Sequence, residues 1–112
     1  MAARQFFGIQ ITLAPNTVTN VLKALQLIDA SIPPSVRELT VEADVSVPGT
    51  LLLGDAAIST SRFGKSLIAA TGPPAVHDSI QWGQGSPVQG VLLGSLYVLS
   101  TAAMKVNILG MV

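Results

Sequence analysis

The chain has no cysteine and a single histidine among its 112 residues. Disulfides, thiolate metal sites and cysteine nucleophiles are excluded together, so the fold must hold by packing and strand pairing alone. Charge is also scarce. Six basic and six acidic residues cancel and make up only 11% of the chain, against about 25% in a typical globular domain. So sparse a charge set offers no broad field to phosphate backbones or anionic lipid, which argues against nucleic-acid binding. Aromatic residues are few: Phe6, Phe7, Phe63, Trp82 and Tyr97 are too far apart to form a base-stacking platform. Apolar content, at 49%, is ordinary. The deficit therefore lies in the side chains that keep a surface wet, and part of the surface is expected to be covered by other copies or by a partner.

The length suits one domain spanning 1–112 with its own hydrophobic core. Near the N-terminus, Gln5, Gln10 and Thr12 interrupt any apolar run of signal-peptide length. The uncharged stretch from Ser79 to Met104 includes Gln81, Gln84, Pro87 and Gln89. Its most apolar part, Val88 to Met104, is broken by Gly90, Gly94, Ser95 and Ser100, at or below the roughly 17-residue minimum for a membrane span. No membrane partner is expected.

Catalysis needs ionisable groups that converge, and the inventory is thin. His77-Asp78-Ser79 has the residue types of a serine triad, but neighbours along a strand point to opposite faces and cannot form the relay. With one histidine and no cysteine, metal ligation would fall to Glu38, Glu42, Asp44, Asp55 and Asp78. Glu38 and Glu42 share a strand face about 13 Å apart and read as a solvated face. Gly64-Lys65-Ser66 ends like a Walker motif, yet Ser59 stands where the first glycine is required. Gly83-Gln84-Gly85-Ser86-Pro87-Val88 lacks the third glycine of a dinucleotide fingerprint, and Pro87 removes a backbone donor. No enzyme, cofactor or metal site is expected.

Phe7, Ile9, Ile11 and Leu13 alternate along a half-buried first strand. After Ala14-Pro15, Asn16 or Thr17 is placed to cap a short helix whose apolar residues Val18, Val21, Leu22, Leu25 and Ile28 recur at helical spacing, ending near Asp29-Ala30. Leu39, Val41 and Ala43 face one way in the next strand, and Glu38, Thr40 and Glu42 the other. Thr50 to Leu53 reads as a buried strand, followed by strands at Ala56–Thr60, Ser66–Ala69 and Val76–Trp82. Val91–Leu93, Leu96–Leu99 and Met104–Leu109 close the series. Many short strands with regular turn signals and one short α-helix predict a mainly β chain: a small β-sandwich or β-barrel, jelly-roll-like. The loop from Gly83 to Pro87 is a candidate partner-facing or ligand-binding tip.

The order of short motifs over about residues 36–110 resembles small structural proteins of tailed-bacteriophage virions. It consists of Leu53-Gly54-Asp55-Ala56-Ala57-Ile58-Ser59-Thr60, then Gly64-Lys65-Ser66-Leu67, Gly94-Ser95-Leu96-Tyr97-Val98-Leu99, and Lys105-Val106-Asn107-Ile108-Leu109-Gly110. The loop-rich stretch between Ala70 and Gly90 departs from that pattern. The resemblance implies a capsid decoration or cement protein, assembled in the host cytoplasm into the virion. Its partners would be itself, as a homotrimer, and the major capsid protein or another virion protein. A small tail, head-fibre or head-to-tail component is the alternative, or a β-sandwich module binding sugar or peptide through its loops.

On this reading residues 1–14 would act as a docking arm through Phe6 and Phe7. Trp82, a residue type enriched at binding hot spots, would plug a contact between subunits. Its structural alternative is a core tryptophan closing one end of the sandwich.

Overall fold

The computed structural model describes residues 6–44, 48–70, 76–83 and 90–112, with the backbone alone at 76 and 77. In chain order the elements are β1 (Phe6–Leu13), β2 (Thr19–Asn20), α1 (Val21–Ile28), β3 (Ser35–Val36), β4 (Glu38–Ala43) and β5 (Gly49–Gly54). They continue with β6 (Lys65–Ala70), β7 (Val76–His77), β8 (Ser79–Trp82), β9 (Val91–Leu92), a 3-10 turn at Leu93–Ser95, β10 (Tyr97–Ser100) and β11 (Met104–Met111).

The strands pair in a nested series, all antiparallel. β1 pairs with β11, β2 with β10, β3 with β9, β4 with β8, and β5 with β6. The chain is thus one long hairpin with its tip between β5 and β6. Three more ladders complete the fold: β11 also pairs with β4 and β10 with β5, which rolls the hairpin up, and β7 pairs with β6. The result is a sheet ordered β1-β11-β4-β8 and a second ordered β2-β10-β5-β6-β7. This is a jelly roll, a mainly β sandwich as the sequence pattern predicts.

Alternation decides which side chains enter the sandwich, because successive residues of a strand face opposite ways. Ile11 and Leu13, Val106 and Ile108, and Leu39, Val41 and Ala43 project inward from the first sheet. Leu51, Leu53, Leu67, Ala69 and Val98 meet them from the second. The register aligns these into rows across the first sheet, such as Ile9, Ile108, Val41 and Ile80.

The helix closes one open side of the sandwich, with Val21 and Leu25 fully buried. It starts later than the sequence spacing predicts. Asn20 is the cap: its Oδ1 accepts from the Lys23 amide at 3.0 Å and its Nδ2 donates to the Gly94 carbonyl at 3.0 Å. A side chain bonded at both ends of this turn fixes the start more firmly than Asn16, which has a left-handed φ of 55°. Val18 and Ile28 consequently lie outside the buried stripe, 45% and 59% exposed.

A second correction concerns Ala56–Thr60, which is a turn segment rather than a strand, with one bridge between Ser59 and Arg62. The loop folds back over the outer face of the second sheet, where Ile58 packs with Leu52 and Leu99. That cover explains why Leu51, Leu52 and Leu53 are all buried. The Asp55 carboxylate holds the turn, accepting from the Ala57 amide and the Arg62 guanidinium.

Leu25→Ala should cost about 2–5 kcal/mol through loss of apolar burial and the cavity left behind. Leu27→Ala, on the solvent side of the single subunit at 89% exposure, should stay within about 0.5 kcal/mol for the dissociated subunit. Urea midpoints of the two variants check the pair, and equal losses would contradict the placement of the helix.

Candidate interaction surface

Phe6 and Phe7 are adjacent in β1 and therefore belong to opposite faces of the first sheet. Phe7 starts an inner row with Gly110, Leu39 and Trp82. Its ring lies over Gly110, where any Cβ would collide with it, so the glycine makes room for the aromatic side chain. Trp82 is half-buried and packs against the main core. Phe7 and Trp82 thus help close one end of the sandwich. Phe6 stands apart, opposite Met111 on the outer face and 64% exposed.

β1 is a full eight-residue strand of the sheet, with an unbroken register against β11. Residues 1–5 of the arm expected from the sequence lie outside the described residues, as do residues 84–87 of the Gly83 to Pro87 loop. Gly83 itself has φ of +77°, a conformation that glycine adopts without a steric penalty. Its backbone sits so close to the Arg37 carbonyl that a side chain would not fit.

Beside Phe6 the outer face carries a shallow groove of about 160 Å³, lined in part by Glu38, Thr40, Gln81, Trp82 and Leu109. Farther along the same face runs a polar strip. Gln10 Nε2 donates to Asn107 Oδ1 at 2.8 Å, and Asn107 Nδ2 donates to Glu42 Oε1 at 3.1 Å and Asp44 Oδ1 at 3.3 Å. These cross-strand bonds use the side chains on each other.

Asp78 has a structural job. Its Oδ2 accepts from the Ile68 amide at 2.9 Å, its own amide donates to the Ile68 carbonyl, and its carbonyl accepts from the Ala43 amide. One residue thereby ties the second sheet to the first. Among the described residues, no group of three or more histidines, cysteines or carboxylates is placed to hold a metal ion. No described helix is long and apolar enough to cross a membrane.

The sequence pattern overlooked a second apolar surface. Val18, Ala24, Leu27 and Ile28 line a groove of about 440 Å³ against Ile11 and Thr12 of β1. One signal was there to be read: Leu27 is an apolar residue off the helical stripe. Above this groove, β1 forms the edge of its sheet, and among the described residues no backbone hydrogen bond leaves its far side.

No family model matches the chain, and no curated protein matches it. Among solved structures it is similar to a chain from Bacillus endospore appendages, which form disulfide-linked pili. That match has 16% identity and a TM-score of 0.43 over 97% of this chain and 82% of that one. It is also similar to a chain from the virus-like particle of the extra small virus of the giant freshwater prawn Macrobrachium rosenbergii. The second match has 8% identity and a TM-score of 0.39 over 99% of this chain and 79% of that one.

Gly110→Ala should destabilise by about 1–3 kcal/mol, since the Phe7 ring has to leave its place. The check is a denaturation midpoint, with Gly110→Ala/Phe7→Leu recovering part of the loss. The tip loop supplies a pH prediction. The Arg62 side-chain hydrogen bond, followed by the Ala57 amide, holds the Asp55 carboxyl below the usual aspartate range. A carboxyl lowered on folding contributes stability that is complete above its unfolded pKa, near pH 4, and is lost as pH falls through the folded value. A carboxyl carbon titration by NMR should show Asp55 titrating low and moving upward in Arg62→Ala. An unmoved Asp55 would contradict the pairing.

Proposed function

We propose that the chain is a structural subunit, not an enzyme, and that it works by self-association and docking within an assembled particle. The observation that carries this reading is the eight-residue edge strand β1, which has no charged residue. It lies beside exposed apolar side chains on a domain with only 11% charge. Monomeric proteins blunt such edges with lysine, proline, bulges or a cover, because an open strand edge is a template for pairing. On the outer face the polar side chains are spent on one another, Gln10 on Asn107 and Asn107 on Glu42.

The particle in this proposal is the virion of a tailed bacteriophage, and the chain is a decoration or cement protein on its capsid. Support for that part is the motif order from Leu53 to Gly110, whose segments fall on the tip turn, β6, β10 and β11. A cement protein stabilises a shell by burying area across the joints between shell subunits, with roughly 800 Å² hidden on each partner of a standard interface. The threefold count of copies rests on the resemblance, and the major capsid protein is the partner it names.

A second reading, a module that binds sugar or peptide, is favoured by the aromatic and polar groove beside Trp82. At about 160 Å³ the groove falls below the roughly 300–1,000 Å³ of ordinary ligand pockets. Trp82 is the only tryptophan, so its fluorescence reports on this site alone. Titration with mono- and oligosaccharides should leave the emission unchanged, and a saturable shift would move the function to the groove.

Light scattering of the purified chain, with and without a tailed-phage major capsid shell, tests the main proposal. A stable oligomer that joins the shell is expected. A compact monomer that ignores the shell would overturn it.

A further inference from the structure

We infer that β1 pairs antiparallel with β1 of a second copy, across a twofold axis near Ile9. The inference rests on the self-association reading and names the surface that carries it. The strand reads Phe-Phe-Gly-Ile-Gln-Ile-Thr-Leu, without charge, proline or bulge, and it ends its sheet. An identical strand is its equal in length and in face pattern, and a twofold antiparallel ladder sets like faces side by side. Centred on Ile9, the ladder sets Phe7 against Ile11 of the second copy on the core side, and Gln10 against Gly8 on the outer side. No like charges meet.

This register also joins two apolar features that the monomer leaves open. Phe6 projects from one end of β1, and the groove between β1 and α1 opens at Thr12, roughly 20 Å along the strand at about 3.4 Å per residue. The twofold pairing brings Phe6 of each copy opposite Thr12 of the other, where Val18, Leu27 and Ile28 are exposed. The knob and the groove occur once per copy and are filled twice per pair. With Phe6, Val18, Leu27 and Ile28 exposed by 64%, 45%, 89% and 59%, and at roughly 150–200 Å² per large apolar side chain, they offer on the order of 400–500 Å². That is about half of the roughly 800 Å² each partner hides in a standard interface, the strand edge and its rim supplying the rest.

The other edge of the sheet is a poorer partner. β8 has four residues, so a ladder from β1 to β8 of another copy would leave half of β1 unpaired. The β1 contact joins copies two by two, as a dimer or as a link between two trimers.

Gln10 is exposed on the outer face, and its counterpart in the second copy is a diagonal neighbour about 7–8 Å away. Gln10→Lys and Gln10→Glu each set like charges across the axis, and a mixture of the two sets opposite charges. Light scattering should give each variant alone half the mass of the wild-type oligomer, with circular dichroism unchanged. An equimolar mixture should recover the wild-type mass, which a misfolded variant would not do. If both variants alone keep the wild-type mass, the β1 contact is wrong while self-association stands. A wild-type chain that is monomeric at every concentration would overturn both.

Discussion

The ladder between β4 and β11 is the contact on which the molecule depends. Pairing β1 with β11, or β4 with β8, needs only that the chain double back on itself. Setting β11 beside β4 makes the hairpin curl, and the curl brings the two sheets face to face. The row of Ile108 and Val41, both buried, is core only because of that pairing. β11 lies between β1 and β4, and its alternation of buried and solvent-side residues is complete from Met104 to Leu109. It is the strand through which the whole first sheet is held.

Such an architecture sets its own folding problem. Among the nested pairs, only β5 and β6, joined by the Asp55 to Gly64 turn, are close in sequence, while each outer pair of the nest closes a longer loop. Long-range pairing is entropically slow to find. The paired carboxylate and tucked Ile58 of the tip are therefore well placed to give the first hairpin an early hold, from which the rest can zip outward.

Much of this was legible in the residues. Strict alternation in Phe7 to Leu13, Leu39 to Ala43 and Met104 to Ile108 gave the strands and their inner faces, since one buried face leaves a period of two. The helix start was misread because Val18 fits the helical spacing as well as Val21 does, and the cap depends on Gly94, far along the chain. Ala56 to Thr60 was misread because Ile58 is apolar for a reason outside its own segment, the need to cover Leu52 and Leu99. The nested pairing could not be read, as no local feature tells β1 that its partner begins near residue 104. On the surface, residue type singled out Phe6, Phe7 and Trp82, but only the sheet separates the first from the other two. The groove beside Thr12 is assembled from β1 and α1, and its one local signature is Leu27, an apolar residue off the helical stripe.

Nesting also fixes where the described chain enters and leaves the fold. Phe6 faces Met111 across a single strand spacing, so the described chain enters and leaves the fold at one corner. A short linker could join the two and the tip could be cut instead, giving a circular permutant in which β5 and β6 carry the new ends. By the same geometry, two different cargoes fused to the two ends would be held side by side, at a separation set by the sheet and not by the linkers.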